Sequence, residues 1–478
     1  MQKTYLELSE DEGSSHKFYE VIVDGLSVSI RYGRIGDNGQ SSSSAFNSEA
    51  DALAFAAKKV KEKSKKGYAE AVMGQRQSRA ISRRVIQSNS STVKQKLPIT
   101  WKFNTGSAAF GIYIDAKSCW AGNEDGDVYR LSHDGEVELH QRLPDGVKCI
   151  VADNDWIYVG CDDGNVYDLT GKRPRLSYEI SDKIEIYWID INDGILGVSD
   201  AGGNATVINY EDEEQWTNKQ KGKSAWMMRC DDYGKVFCGD SNGIVAYNGP
   251  DGKIEWEAKT NDAVLFGWME NDKVYAATGA NSVQAFSKTG TLVNTYKTDH
   301  TVFSCATSPN GEFVFAGDNY SSIYCFDADG TRRWKFATGC GSAFSMQYFD
   351  EKLYIVTTDG VMACIDAKQE AITQAQEGIV PTIKDVKIAA SQRTQSLTVN
   401  DTVVLETASA NATGVRVQCV KEGSKLRVKL LSDGYHKDWH VQFPKNLREE
   451  GAIYVVDEIR EAAQTGFYRV FGNILKSS

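Results

Sequence analysis

Apolar and polar positions in this chain alternate in short bursts, and the bursts recur. From Trp101 to Ile365 an apolar run of strand length is followed by Asp-Gly or Asn-Gly. A second apolar run, another glycine turn and an aromatic come next. Asp125-Gly126-Asp127-Val128-Tyr129-Arg130-Leu131 reads beside Asp163-Gly164-Asn165-Val166-Tyr167-Asp168-Leu169. Weaker copies lie at 203–208, 242–247, 281–286, 321–326 and 359–365. The closing apolar residues, Leu131, Leu169, Ile208, Tyr247, Phe286, Phe326 and Ile365, fall 38 to 40 residues apart.

A period of about 40 residues built from short strands and glycine turns predicts propeller blades. Seven copies predict a seven-bladed β-propeller over residues 98–372. Trp101-Lys102-Phe103-Asn104-Thr105-Gly106 closely repeats Trp334-Lys335-Phe336-Ala337-Thr338-Gly339, yet no Trp strand follows Asp366. A closed ring leaves no open edge. Residues 99–105 are therefore expected to supply the outer strand of the last blade.

The flanks have other textures. Strands are expected at 18–23 and 26–32 around an Asp24-Gly25 turn, and again at 41–46. Ser48 is placed to cap a helix, with Asp51 three residues on. Leu53, Ala56, Ala57 and Val60 form its expected apolar stripe, and Lys58, Lys59, Lys61, Lys63, Lys65 and Lys66 load its C-terminal half. This makes a small α+β domain over residues 1–75, followed by a basic linker at 76–97. Residues 379–478 read as a small β-rich domain, with strands near 415–420, 425–430, 439–443 and 467–471. The fold class is thus mainly β: a propeller between two small domains.

Charge sharpens this division. Residues 1–97 carry a net +5 and residues 379–478 a net +3, which leaves −19 of the total −11 for residues 98–378. The repeat body should repel a phosphate backbone, and only the ends should attract one. The ten cysteines include no Cys-x-x-Cys pair, and Cys149, Cys305, Cys325 and Cys364 sit inside apolar runs. They are expected as buried thiols in a reducing cytoplasm. No run reaches the roughly 20 apolar residues of a membrane span. The start, Met1-Gln2-Lys3-Thr4-Tyr5, shows no secretory signal.

Arg31-Tyr32-Gly33-Arg34-Ile35-Gly36, closed by Gly39-Gln40, ends a strand and enters a loop. Lys17-Phe18-Tyr19 lies upstream and Lys65-Lys66-Gly67-Tyr68 downstream. Over about residues 4–70 this order resembles the WGR domain, with Tyr32 in place of the name-giving Trp. The family occurs in poly(ADP-ribose) polymerases, where it contacts DNA ends, and in bacterial proteins resembling the molybdate-metabolism regulator. The resemblance implies nucleic-acid contact through Arg31, Tyr32, Arg34, Lys63, Lys65 and Lys66. An aromatic at a strand end can stack on a base or sugar, Arg34 can hold a phosphate, and Gly33 lets the backbone approach. The same residues also fit a structural role, with Tyr32 packed under the loop and the lysines solvated.

The blades resemble WD-like and quinoprotein-like repeats in phrases such as Asp329-Gly330-Thr331-Arg332-Arg333-Trp334. Members that bind pyrroloquinoline quinone carry vicinal cysteines and a calcium carboxylate set in eight blades. Seven copies without adjacent cysteines imply the scaffold members instead, and no cofactor. His436 and His440 lie on an expected turn and strand, where chelation by residues four apart is awkward. Trp188 and Trp268, on matched inner strands, are expected to pack between blades. No catalytic or metal set emerges. The sequence points to a non-enzymatic adaptor with a protein partner on the propeller and DNA or RNA at the N-terminal domain. Alternatives are a structural or assembly protein with protein-only contacts, or an enzyme using the propeller mouth.

Overall fold

The computed structural model describes residues 2–9, 16–34, 40–66, 68–70, 88–180, 185–211, 213–388, 407–408 and 413–477. The chain forms two compact units, Met1–Ser82 and Arg83–Ser478.

In the first unit β1 (Gln2–Ser9), β2 (His16–Asp24), β3 (Ser27–Arg34), β4 (Gln40–Ala45) and β5 (Ala69–Glu70) form one sheet of order β4-β3-β2-β1-β5. The strand β1 has no counterpart in the sequence expectations. The β2–β3 turn uses Gly25, at φ +56°, and Leu26, one residue later than expected. Helix α1 (Glu49–Ser64) begins at Ser48, whose hydroxyl oxygen accepts the Asp51 N–H at 3.2 Å while donating to the Asp51 carboxylate at 2.7 Å. Its buried residues are Ala52 and Ala56, with Phe55 and Val60 packed beside them. Leu53 is 39% exposed, so the apolar stripe is turned by one position from the expected one. Alanine at 52 and 56 lets the helix lie close to the sheet, which a leucine on that line would prevent.

The second unit contains the ring. Six antiparallel four-stranded sheets span 109–142, 147–179, 186–219, 227–259, 264–297 and 302–337, with strands in chain order from inner to outer. The seventh takes three strands from 343–366 and its fourth from β6 (Ile99–Asn104), which pairs antiparallel with Val361–Asp366. Trp101 is buried there opposite Cys364, and its indole N–H donates to the His133 carbonyl in blade 1 at 2.9 Å. A fifth strand, Lys384–Val386, adds parallel to β6 after helix α2 (Gln369–Gln376). The last blade therefore recruits chain beyond the expected boundary at residue 372.

Residues 76–87 of the expected linker lie outside the described residues. Residues 88–97 do not behave as a linker. Asn89 N–H donates to the Asn319 carbonyl, Ser91 and Ser322 hydroxyls meet at 2.8 Å, and Leu97 N–H donates to Ala337. These bonds lay the segment against blade 6.

Polar residues at the end of each blade's second strand tie the turns. Asp318 accepts the Tyr320 and Ser322 N–H groups and the Tyr324 hydroxyl. Asp240 accepts Asn242, Gly243 and, from the preceding connection, Gly222. Asn123 does the same for Asp125 and Asp127. Much of the propeller's acidity is thus consumed in satisfying turn N–H groups.

The C-terminal strands Val415–Glu422, Lys425–Leu430, His440–Gln442, Ile453–Glu461 and Phe467–Ser477, first to fifth, pair in the order 1-2-3-5-4, with the fourth returning to the first. The third and fifth run parallel. This is the strand order of an OB-type Greek-key barrel. Its core holds Val417, Cys419, Val428, Leu430, Val441, Tyr454 and Val470. The barrel packs on blades 2 and 3. Arg469 reaches Asp153 at 2.6 Å and the Tyr158 hydroxyl at 3.2 Å, and lies 3.9 Å from the Trp156 ring centroid. The Arg469 and Asp153 side chains are each only 4% exposed.

Trp101→Ala should cost about 3–5 kcal/mol in denaturant unfolding, the usual loss for a buried Trp. The half-buried Trp256, which closes no ring, should cost less, and an equal loss would show that the seam has no special weight. Arg469→Met strands the buried Asp153 carboxylate and should cost about 3–5 kcal/mol. Pairing it with Asp153→Asn should recover part of that loss in the same assay.

Candidate nucleic-acid interface

Strand alternation decides which candidate residues meet. In the β2–β3 ladder Tyr19 faces Tyr32 and Glu20 faces Arg31. Side chains of successive strand residues leave on opposite faces. Tyr32 joins the helix side: its ring lies 6.2 Å from Tyr19, and Tyr68 meets Tyr19 edge-on at 6.4 Å. The Lys63 ammonium, from the last turn of α1, stands 4.4 Å from the Tyr19 ring centroid and 5.1 Å from that of Tyr68. Tyr32 is 42% exposed, and Lys65 and Lys66 are exposed at the helix end. The helix side therefore presents an aromatic edge under a run of ammonium groups, with the helix dipole favouring those cations.

Arg31 belongs to the other face. It binds Glu20 at 3.2 Å and lies 4.9 Å over the Phe18 ring. Glu20 also takes Lys3 at 2.7 Å. Burial works to raise the Glu20 carboxyl, but the Lys3 hydrogen bond and the Arg31 charge outweigh it and hold the group below its usual range. Register thus places Arg31 on the face opposite Tyr32. The Arg34 backbone pairs with Lys17 at the strand end. The Arg34 side chain, Ile35, Gly36 and Gly39 lie outside the described residues. Sequence reasoning did not assign Tyr19 and Tyr68 to the site, although both flank the motif. The signal was the register itself, since Tyr19 and Tyr32 are equally distant from the hairpin turn. Burial raises the Tyr19 phenol above its ordinary value, with the nearby Glu62 adding to the effect.

The propeller mouth has a different character. Phe110, Lys148, Tyr187, Trp226, Leu265, Phe303 and Phe344 take equivalent positions near the start of each inner strand. Six of them occupy a β-bulge. Tyr187 stacks on Trp226 at 3.8 Å and Phe110 on Phe344 at 4.1 Å. The Lys148 ammonium lies 5.5 Å from the Phe110 ring and 5.8 Å from that of Trp226, so side chains of blades 1, 2 and 4 meet over the axis. Lys148 pairs with buried Asp162 at 3.2 Å. Burial pushes the Asp162 carboxyl up to about 6 against the pull of Lys148. Deeper in, Trp188 and Trp268 pack around Arg229, whose guanidinium lies 5.5 and 5.7 Å from their rings.

His440 bonds Glu422 at 3.0 Å, while His436 stacks on Trp439. Among the described residues, no group of three or more His, Cys, Asp or Glu could hold a metal ion. All ten cysteines are buried and free. No described helix is long and apolar enough to cross a membrane.

The fold is that of a mainly β propeller protein with small appended domains. Comparison with known proteins refines this class. Residues 2–75 match the WGR domain, and residues 201–310 match the family described as outer membrane protein assembly factor BamB. The WD40 β-propeller domain of Doa1 superposes with a TM-score of 0.50 at 15% identity, covering 58% of this chain and 98% of that domain. The computationally designed protein Ika8 gives 0.47 at 13% identity, covering 57% of this chain and 99% of its own. No curated protein matches the chain. The chain thus joins a WGR domain to a propeller of quinoprotein-like repeats.

In a titration of the full chain with ring-labelled tyrosine followed by NMR, Tyr19 should titrate above 10.0. A midpoint at or below that value would show that the phenol is not buried beside Glu62.

Proposed function

We propose that this protein is a non-enzymatic cytoplasmic adaptor whose WGR domain binds nucleic acid and whose propeller docks a protein partner. The observation that carries the reading is the Tyr19–Tyr32–Tyr68 cluster beneath Lys63. An exposed ring beside several ammonium groups offers what a nucleic-acid end requires: a flat surface for a base or sugar, and cations for the adjoining phosphates. Tyr32 supplies the ring, Lys63 orients the cluster, and Lys65 and Lys66 extend the positive field. Arg34 continues the strand from Tyr32 and is assigned to phosphate. Arg31 serves the opposite face and holds Glu20. The propeller contributes a rigid ring whose turns are tied internally, a property suited to holding a partner in fixed geometry.

Binding of the full chain to labelled duplex and single-stranded DNA tests this. Lys63→Glu with Lys65→Glu and Lys66→Glu should weaken binding at least about tenfold. The slope of log K against log salt should flatten by about 0.9 for every duplex phosphate that these lysines no longer neutralise. Tyr32→Ala should weaken binding about fivefold or more, as removal of a stacking platform does. Arg31→Ala should change affinity less than either. Absence of binding by the wild-type chain at low salt, or equal affinity of all variants, would remove the nucleic-acid role of the WGR domain.

A further inference from the structure

One outer face of the C-terminal barrel carries a row of cations already in contact with carboxylates. Alternation along the second barrel strand sends Leu426, Val428 and Leu430 to the core and Lys425, Arg427 and Lys429 outward. Alternate residues on a strand stand about 7 Å apart, so this is a straight row of cations. His440, on the next strand, pairs with Lys429, and Phe467, beyond it, pairs with His440. The face thus runs from a cationic row to an aromatic ring. Glu422 is its internal acid. It binds Lys429, Arg427 and His440, and the Lys429 hydrogen bond leads in drawing it down to about 2.

What covers this face comes from blade 3. Tyr210 stacks on Phe467 at 5.5 Å with 26° between the ring planes. The next residue, Glu211, places its carboxylate 2.7 Å from Lys425 and 2.6 Å from Arg427, and its carbonyl accepts from Arg448 at 2.8 Å. Glu213 adds a second carboxylate 2.8 Å from Lys425. An aromatic ring on Phe467 with anions on the adjacent cations reproduces, in protein groups, the pattern of a base with its phosphates. Lys425 remains 42% exposed, so the row is open to solvent along its rim. Salt screens the Lys425 pairs at this open rim, whereas Glu211, 17% exposed, lies between Lys425 and Arg427. The barrel does not depend on them for attachment, because Arg469, Trp156 and Phe471 hold it on blade 2.

We propose that this face is a second, single-stranded nucleic-acid site, and that Tyr210, Glu211 and Glu213 of the propeller act as its built-in competitor. The strand would lay phosphates along Lys425, Arg427 and Lys429 and stack a base on Phe467 in place of Tyr210. Phosphate competes well for these groups because arginine binds either anion in the same forked geometry. The site uses no residue of the WGR domain and stands whether or not that domain binds nucleic acid.

The test uses the full chain carrying Lys63→Glu, Lys65→Glu and Lys66→Glu, so that the N-terminal site does not contribute. The probe is fluorescein-labelled oligo(dT) of about 16 nucleotides, the upper site size for one such barrel, read by anisotropy at low salt. Adding Glu211→Gln with Glu213→Gln should tighten binding at least about tenfold, as expected when a tethered competitor is removed. Tyr210→Ser should also tighten it, which covers the case of a double variant that folds poorly. Glu255→Gln with Glu257→Gln removes the same charge from blade 4 and should not tighten binding. Lys425→Glu with Arg427→Glu should abolish the gain. The proposal is overturned if neither unmasking variant tightens binding, if the blade 4 control tightens it equally, or if the gain survives loss of Lys425 and Arg427.

Discussion

The antiparallel pairing of Ile99–Asn104 with Val361–Asp366 is the contact on which the second unit depends. It joins segments more than 250 residues apart, and through it every blade has an outer strand. Without it the last blade would lack its fourth strand and leave Val361–Asp366 as an open edge, and unpaired strand edges invite association with other chains. The cost of closing so long a loop grows only slowly with its length. Burial of Trp101, Phe103 and Ile99 offsets it. The seam is also knitted sideways: His133 of blade 1 accepts from Trp101 through its carbonyl, while its ring meets the Tyr354 hydroxyl of blade 7 at 2.8 Å. The closing strand therefore fixes blade against blade as well as completing a sheet.

Once the ring is closed, its charge acquires a particular use. The sequence shows a strongly acidic body, but the acids are not a uniform field. Asp240 and Asp318 are buried and committed to backbone N–H groups. Asp153 is buried against Arg469, and Glu211 holds Lys425 and Arg427. Acidity on blade 2 thus seats the barrel, and acidity on blade 3 covers its row of cations. The mouth holds stacked aromatic rings around Lys148, whose ammonium is paired with the buried Asp162.

The candidate site was legible in part. Tyr32 and the helix lysines could be named from the motif and the charge run, but Arg31 and Tyr32 are neighbours in sequence and opposites in space. A strand sends adjacent side chains to different faces, and only the position of α1 tells which face is covered. The same limit affected the helix. Leu53 and Phe55 are both apolar, and the choice between them followed from where Phe46 lies: its ring packs 4.9 Å from that of Phe55. The polar stretch ending at Leu97 read as a linker because hydrogen bonds from Asn89 and Ser91 to blade 6 leave no trace in composition.

The repeat, its seven copies and the strand that stands outside the run were all written in the order of the residues. A blade is a local structure: its turns demand Gly and Asp at set places, and its strands demand alternation, so each copy carries its own instructions. The likeness of Trp101–Gly106 to Trp334–Gly339 extended this to the seam, since equivalent positions in a ring need equivalent residues. Folding in three dimensions was needed for everything else. The order of the barrel strands, the stacking of Tyr210 on Phe467 and the burial of Arg469 against Asp153 join residues with no common period or motif. Such contacts are chosen by shape and charge between surfaces that exist only after each part has folded.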